Sequence, residues 1–200
     1  EENFQGVFGT NKPGFTPTAA QKAYGLTAEG FYYTIDQQKV PAYRWWEQLS
    51  RFDLAHPDND SERFGYVVEI DPYDPQSTPV KRTALGRFRH ENAELTVAPD
   101  GRVVVYMGDD EVDQFVYKFV SQDRWDAQSN SGSGIDRAAG LLDKGTLYVA
   151  RFHADGTGSW LELAPGLNNI PRKTGPADVE GFDEAEISIR TRMAARLAGA

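Results

Sequence analysis

A run of charged side chains from Arg87 to Glu91 (RFRHE) is the first place where this sequence could do chemistry. The run holds two guanidinium groups, an imidazole and a carboxylate, and it stands directly before a predicted strand. A carboxylate at the start of a strand can bind a hard metal ion, and neighbouring arginines can bind phosphate oxygens. The same residues could instead form a network of surface charges, and their spacing alone favours that interpretation.

A second acidic group follows the next predicted strand, where Gly108, Asp109, Asp110 and Glu111 stand in a row and Asp113 comes close behind. Calcium binds several oxygen ligands, so clustered carboxylates on one loop can supply part of a calcium site. The D-x-D-x-D-G pattern of an EF-hand is absent. A solvated turn is the alternative, and the local sequence slightly favours it.

Other kinds of site are excluded by what the sequence lacks. It contains no cysteine, which excludes disulfides, thiolate catalysis and Cys-ligated zinc within these residues. The three histidines, His56, His90 and His153, do not have the spacing of a zinc protease motif. The G-x-S-x-G, P-loop and G-x-G-x-x-G motifs are also missing, which removes the common hydrolase and nucleotide-binding classes.

Predicted strands surround both candidate sites. Runs of β-branched and aromatic residues, separated by turn residues, predict short strands. The predicted strands are 27–35, 64–71, 93–97, 103–107, 114–121, 146–153 and 159–163. Within 114–121, Phe115, Tyr117 and Phe119 occupy alternate positions and therefore share one face.

The C-terminal part of the chain departs from this pattern, and its apolar residues recur at helical spacing. These residues, Phe182, Ile189, Met193 and Leu197, predict one amphipathic helix over 182–197. Asp183 and Glu186 resemble a capping box at its start, and Gly199 suits its end. A Ser/Gly-rich segment at 129–134 predicts a flexible loop.

Many short strands with frequent turns indicate an all-β fold: a sandwich, a barrel or a propeller. The turns at 98–101 (APDG) and 153–156 (HADG) are similar, which favours repeated blades of a β-propeller. Hairpin turns often contain Asp-Gly for other reasons, so the other two architectures stay open. In the propeller interpretation, this chain supplies a subset of the blades and one C-terminal helix.

The charge balance bears on the partners of the protein. Thirty acidic and 21 basic residues give a net charge of −9. An acidic surface disfavours non-specific binding to nucleic acid, which requires a basic one. No apolar run approaches the roughly 18 residues of a membrane-spanning helix. We therefore expect neither a nucleic-acid partner nor a membrane span.

Five segments, in order, resemble the PhoX family of alkaline phosphatases, also known as a bacterial family of formerly unknown function. The segments are FGYVVEIDPYDP, TALGRFRHE, VVVYMGDD, YKFVS and LLDKGTLYVARFHADGTGSWLEL. Together they cover most of residues 64–163. The tail IRTRMAARLAGA also resembles the helix that precedes a further metal-binding loop in the family.

The resemblance implies a β-propeller with iron and calcium ions at its centre, which hydrolyses phosphate monoesters. It also implies a periplasmic or secreted protein that is exported by the twin-arginine route, and we expect a monomer. The implied metal ligands are Glu91, from the GRF-x-HE motif, with Asp109, Asp110 and Glu2, and the implied catalytic residues are Arg87 and His90.

The chain departs from the family pattern at both ends. The family places a bridging Cys before a Glu-Glu pair, whereas this chain opens at Glu1-Glu2, and an Arg-Pro-Glu-Asp segment would follow Ala200. We therefore expect residues 1–200 to be the central portion of a single propeller domain, incomplete at both ends. Two alternatives stay open: a calcium-dependent propeller lactonase, and a non-catalytic propeller segment that acts as a binding or scaffold module.

Overall fold

The computed structural model describes residues 1–125 and 140–200, so the loop predicted at 129–134 lies outside the described residues. The chain divides into two compact units. The N-terminal unit is residues 2–65, and the C-terminal unit is Glu1 together with residues 66–200. Each unit has its own cluster of buried apolar side chains.

The N-terminal unit is built from short elements around an aromatic core. They are helix α1 (Ala19–Ala23), the hairpin of β1 (Tyr32–Ile35) and β2 (Gln38–Pro41), and single turns of 3₁₀-helix at Phe4–Val7, Trp45–Glu47, Ser50–Phe52 and Ser61–Arg63. The indole of Trp46 lies so close to Gly9 and Gly30 that a Cβ on either residue would come within 2.8 Å of it. The core of this unit therefore depends on glycines that leave room for a large ring.

The C-terminal unit contains a five-stranded antiparallel sheet whose strands follow one another in chain order. The strands are β5 (Glu94–Val97), β6 (Arg102–Gly108), β7 (Val116–Arg124), β8 (Gly145–Phe152) and β9 (Gly158–Glu162), and β3 (Val67–Glu69) pairs separately with β4 (Val80–Arg82). All seven predicted strands are present, although the one at 64–71 is reduced to three residues. Tyr117 and Phe119 are both buried, which confirms the prediction that they share one face of β7.

The prediction of a single helix over 182–197 is wrong, because two short helices occupy this region. Helix α2 (Glu184–Ile189) and helix α3 (Thr191–Ala198) meet at Arg190, whose φ of −108° and ψ of 38° are not helical. The Arg190 side chain donates hydrogen bonds to the backbone carbonyls of Val179 and Gly181. These tertiary bonds, which no local pattern reveals, accompany the break.

Both predicted ends of the helical region are confirmed, although the Glu186 carboxylate of the predicted capping box pairs instead with Lys173 and Arg190. The Asp183 carboxylate accepts a hydrogen bond from the backbone N–H of Glu186 at 2.9 Å. Gly199 has a φ of 83°, the left-handed conformation that glycine adopts at helix ends. The described part of the chain is thus β-rich with a few short helices. No helix within it is long and apolar enough to cross a lipid bilayer.

Candidate functional site

The two charged segments predicted from the sequence lie side by side where β6 ends. His90 and Asp109 form an isolated antiparallel bridge. On either side of it, the backbone N–H of Glu91 donates to the Gly108 carbonyl at 3.2 Å and that of Asp110 donates to the Arg89 carbonyl at 2.9 Å. The RFRHE run and the acidic loop therefore form one site, which the sequence analysis treated as two.

Glu91 and Asp110 present their carboxylates to solvent on this pair of segments. Both residues are exposed, and a carboxylate oxygen of Glu91 lies within 4.8 Å of one of Asp110. At this distance one cation could bind an oxygen of each carboxylate. Carboxylate oxygens are the donors that calcium prefers, and glutamates also hold iron in di-iron carboxylate proteins. The pair therefore fits both expected metals.

The side chain of Asp109, unlike that of Asp110, is fully buried. Its two carboxylate oxygens accept hydrogen bonds from Arg192, Oδ2 from Nε at 2.7 Å and Oδ1 from Nη2 at 2.6 Å. The backbone N–H of Arg89 also donates to Oδ1, at 3.2 Å. Through these hydrogen bonds, the Asp109 carboxylate holds the acidic loop against Arg192 and the backbone of Arg89. Its assignment as a metal ligand stays a prediction.

His90, within the RFRHE run, is buried and is neutral at neutral pH. Its ring stacks on Phe88, with the ring centres 3.8 Å apart, and Nε2 lies 3.1 Å from the Gly86 carbonyl oxygen. A carbonyl can only accept, so Nε2 carries the proton and donates. Burial lowers the pKa of His90 from 6.5 to about 4, with the Gly86 hydrogen bond opposing the shift. Within the described residues, Nδ1 is buried with no hydrogen-bond partner.

The other predicted site residues have less direct settings. Arg87 is buried, and its backbone N–H donates to the Thr191 hydroxyl at 2.9 Å. Arg89 forms an ion pair with Glu111. Glu2 belongs to the N-terminal unit, where it is half-buried. The roles predicted for Arg87, His90 and Glu2 stay predictions.

The sequence analysis missed Thr191 and Arg192, which begin helix α3 and contact both charged segments. Both residues are buried, with exposed fractions of 0% and 1%. One sequence feature could have indicated Arg192. Arg192 stands three residues after Ile189, so helical spacing puts its guanidinium on the apolar face of the helix. A buried charge there requires a partner of opposite charge.

Comparison with known proteins identifies the family. The model for alkaline phosphatase PhoX matches residues 1–200, so the chain belongs to the PhoX family, and the predicted resemblance is confirmed. A solved structure described as Pseudomonas fluorescens PhoX in complex with vanadate, a transition state analogue, matches with a TM-score of 0.82 and 45% sequence identity. The match covers 100% of this chain and 32% of that one, so this chain spans about a third of its length. No curated protein matches.

Proposed function

We propose that this chain is part of a metal-dependent alkaline phosphatase that hydrolyses phosphate monoesters. The observation that carries the proposal is the paired carboxylates of Glu91 and Asp110, in a chain that the PhoX family model matches from end to end. The related Pseudomonas fluorescens protein binds vanadate, described as a transition state analogue. Vanadate mimics a phosphoryl group in transfer, which supports the same chemistry here.

Glu91 and Asp110 are the residues that we propose to hold calcium or iron. When bound, such cations stabilise negative charge on phosphate oxygens and orient an attacking oxygen. The chain itself contributes the two carboxylates. The backbone segments that carry them are hydrogen-bonded to each other, which fixes the separation of the two segments. The assignment of Glu2 as a ligand rests on the family resemblance alone.

Arg87 and His90 are the proposed catalytic residues. A guanidinium can bind phosphate oxygens in pairs, which is the role proposed for Arg87. The neutral imidazole of His90 has a proton on Nε2 and a lone pair on Nδ1, so it can accept a proton or a hydrogen bond at Nδ1. Both assignments are supported by the GRF-x-HE motif and by the position of the two residues beside Glu91.

The wider setting is also a proposal. We propose that the sheet β5–β9 is a blade of a β-propeller, because blades are antiparallel sheets of about four strands joined in chain order. The chain would then be the central portion of one propeller domain. From the resemblance, we expect a monomer that is periplasmic or secreted and that is exported by the twin-arginine route.

The test is an assay of the full-length protein that carries this sequence. We expect hydrolysis of p-nitrophenyl phosphate, loss of that activity on chelation, and detection of iron and calcium by elemental analysis. Cleavage of a lactone with calcium alone would identify a lactonase instead. Absence of turnover on either substrate by the metal-loaded protein would favour the non-catalytic module.

A matched pair of variants tests the site itself. Glu91→Gln keeps the size of the side chain and removes its charge, so we expect at least about a 100-fold loss of kcat/KM, as is common for groups that stabilise transition-state charge. Glu94→Gln changes an exposed glutamate three residues away in β5 and should leave turnover unchanged. Unchanged turnover in Glu91→Gln would remove Glu91 from the site.

A further inference from the structure

A buried arginine lies directly behind the proposed metal site. Arg192 is 1% exposed, and its guanidinium forms a two-bonded ion pair with the fully buried carboxylate of Asp109. Burying two charges is costly, and replacing such a pair with apolar side chains is often neutral or stabilising. A contribution to the stability of the fold therefore does not explain why this buried ion pair is present. A role in specifying local geometry is the better-supported explanation.

The pair is connected to both proposed ligands through the backbone. Asp109 directly precedes Asp110, and its carboxylate also accepts the backbone N–H of Arg89, two residues before Glu91. The Asp109 side chain is buried, whereas the next residue, Asp110, is exposed, so the anchored carboxylate directly precedes the proposed ligand. A single anchored carboxylate thus fixes the orientation of both segments that carry the ligands.

An anchor of this kind sets the distance between the two ligands. Glu91 and Asp110 have carboxylate oxygens within 4.8 Å of each other, and both residues are exposed. The guanidinium of Arg192 lies on the far side of the loop and holds it by two charge-assisted hydrogen bonds. The ligand pair is therefore held together before the cation binds.

We infer that Arg192 is a positioning residue for the metal site: through Asp109 it holds Asp110 and Glu91 at the separation that binds a cation. This inference rests on the proposed function. Arg192 is 1% exposed, and in this inference it acts through Asp109 and not as a ligand or a substrate contact. Its effect is on the affinity for the metal, as is usual for groups that orient metal ligands.

The experiment measures calcium binding by the metal-free full-length protein, by calorimetry and by terbium luminescence. Arg192→Lys keeps the charge and loses the paired hydrogen bonds, so we expect calcium affinity to fall about 10- to 100-fold. The matched control is Arg82→Lys, which changes another 1%-exposed arginine, paired with Glu69 and Asp143. Both variants should lower the melting temperature, but Arg82→Lys should leave the affinity for calcium unchanged.

A double variant separates positioning from stability. Asp109→Leu with Arg192→Met replaces the ion pair with apolar side chains and should restore the melting temperature. We expect calcium binding to stay weak in it. Wild-type affinity in this variant, or equal affinity in Arg192→Lys and Arg82→Lys, would overturn the inference.

Glu91→Gln distinguishes a failure of the inference from a failure of the proposed function. If Glu91→Gln loses calcium binding while Arg192→Lys keeps it, only the positioning role is wrong. If Glu91→Gln binds both calcium and iron as the wild type does, the metal site lies elsewhere, and both conclusions are wrong.

Discussion

The backbone N–H of Arg87 donates to the hydroxyl of Thr191 at 2.9 Å, across 104 residues of sequence. The same hydroxyl donates to the carbonyl of Ile187 at 2.9 Å, so it joins the junction of the two C-terminal helices to the segment that carries the RFRHE run. Arg192, the next residue, makes the equivalent connection to the acidic loop. The first turn of α3 therefore supports both halves of the site.

Thr191→Val tests the first of these connections. Valine has the same shape as threonine but no hydroxyl, so the buried N–H of Arg87 loses its acceptor. We expect a loss of about 1–3 kcal/mol in the free energy of unfolding, measured by urea denaturation. Thr191→Ser retains the hydroxyl and should lose less. Equal stability of Thr191→Val and the wild type would show that this hydrogen bond contributes nothing.

His90 should make the stability of the protein depend on pH. Its pKa is about 4 in the folded protein and 6.5 as the ordinary value, so between these values the unfolded chain binds more protons. Stability is therefore complete above about pH 6.5 and decreases as pH falls towards 4, by up to about 3 kcal/mol. Below pH 4 this contribution should not decrease further. Urea denaturation at intervals from pH 4 to 7.5 measures the slope.

The variant His90→Gln should flatten this pH dependence, because glutamine has no proton to bind. His153→Gln is the matched control, since His153 is exposed in the turn between β8 and β9 and is hydrogen-bonded to Ser159. It should retain the slope of the wild type. A slope that persists in His90→Gln would assign the pH dependence to other groups.

The sheet could be predicted because its signals are local. In 114–121 the alternation of large apolar residues identifies the inner face, and the structure buries Tyr117 and Phe119 accordingly. The Asp-Gly turns fix where the neighbouring strands begin. The helix break at Arg190 could not be predicted in this way, because it accompanies hydrogen bonds to Val179 and Gly181, outside the helical pattern.

The candidate site was predictable only in part, for a similar reason. Glu91 and Asp110 are conspicuous in the sequence because each stands in a dense group of charges. Their closeness depends on a backbone bridge between His90 and Asp109, and the role of Asp109 depends on Arg192, 83 residues away. A tertiary ion pair of this kind leaves no periodic pattern, so the sequence assigned Asp109 only as a metal ligand.

Gly145 at the start of β8 should not tolerate a side chain. A Cβ there would lie 2.3 Å from the carbonyl oxygen of Val120 and 2.4 Å from the ring of Phe119. Gly145→Ala forces these groups apart, and we expect a loss of about 1–3 kcal/mol in the free energy of unfolding. Gly175→Ala is the control, because a Cβ at Gly175 meets no atom within 4 Å. Similar stabilities of the two variants would show that the sheet relaxes around the added methyl group.

Calcium should stabilise the wild type but not the variant Glu91→Gln. The melting temperature of each protein is first measured with a chelator present, so that each protein provides its own metal-free reference. With calcium 100-fold above its dissociation constant, the wild type gains about 2.7 kcal/mol, which the variant cannot gain because it lacks a ligand. Added calcium should therefore raise the melting temperature of the wild type and of Glu94→Gln, but not that of Glu91→Gln. An equal rise in Glu91→Gln would mean that the calcium bound by the protein does not depend on the Glu91 carboxylate.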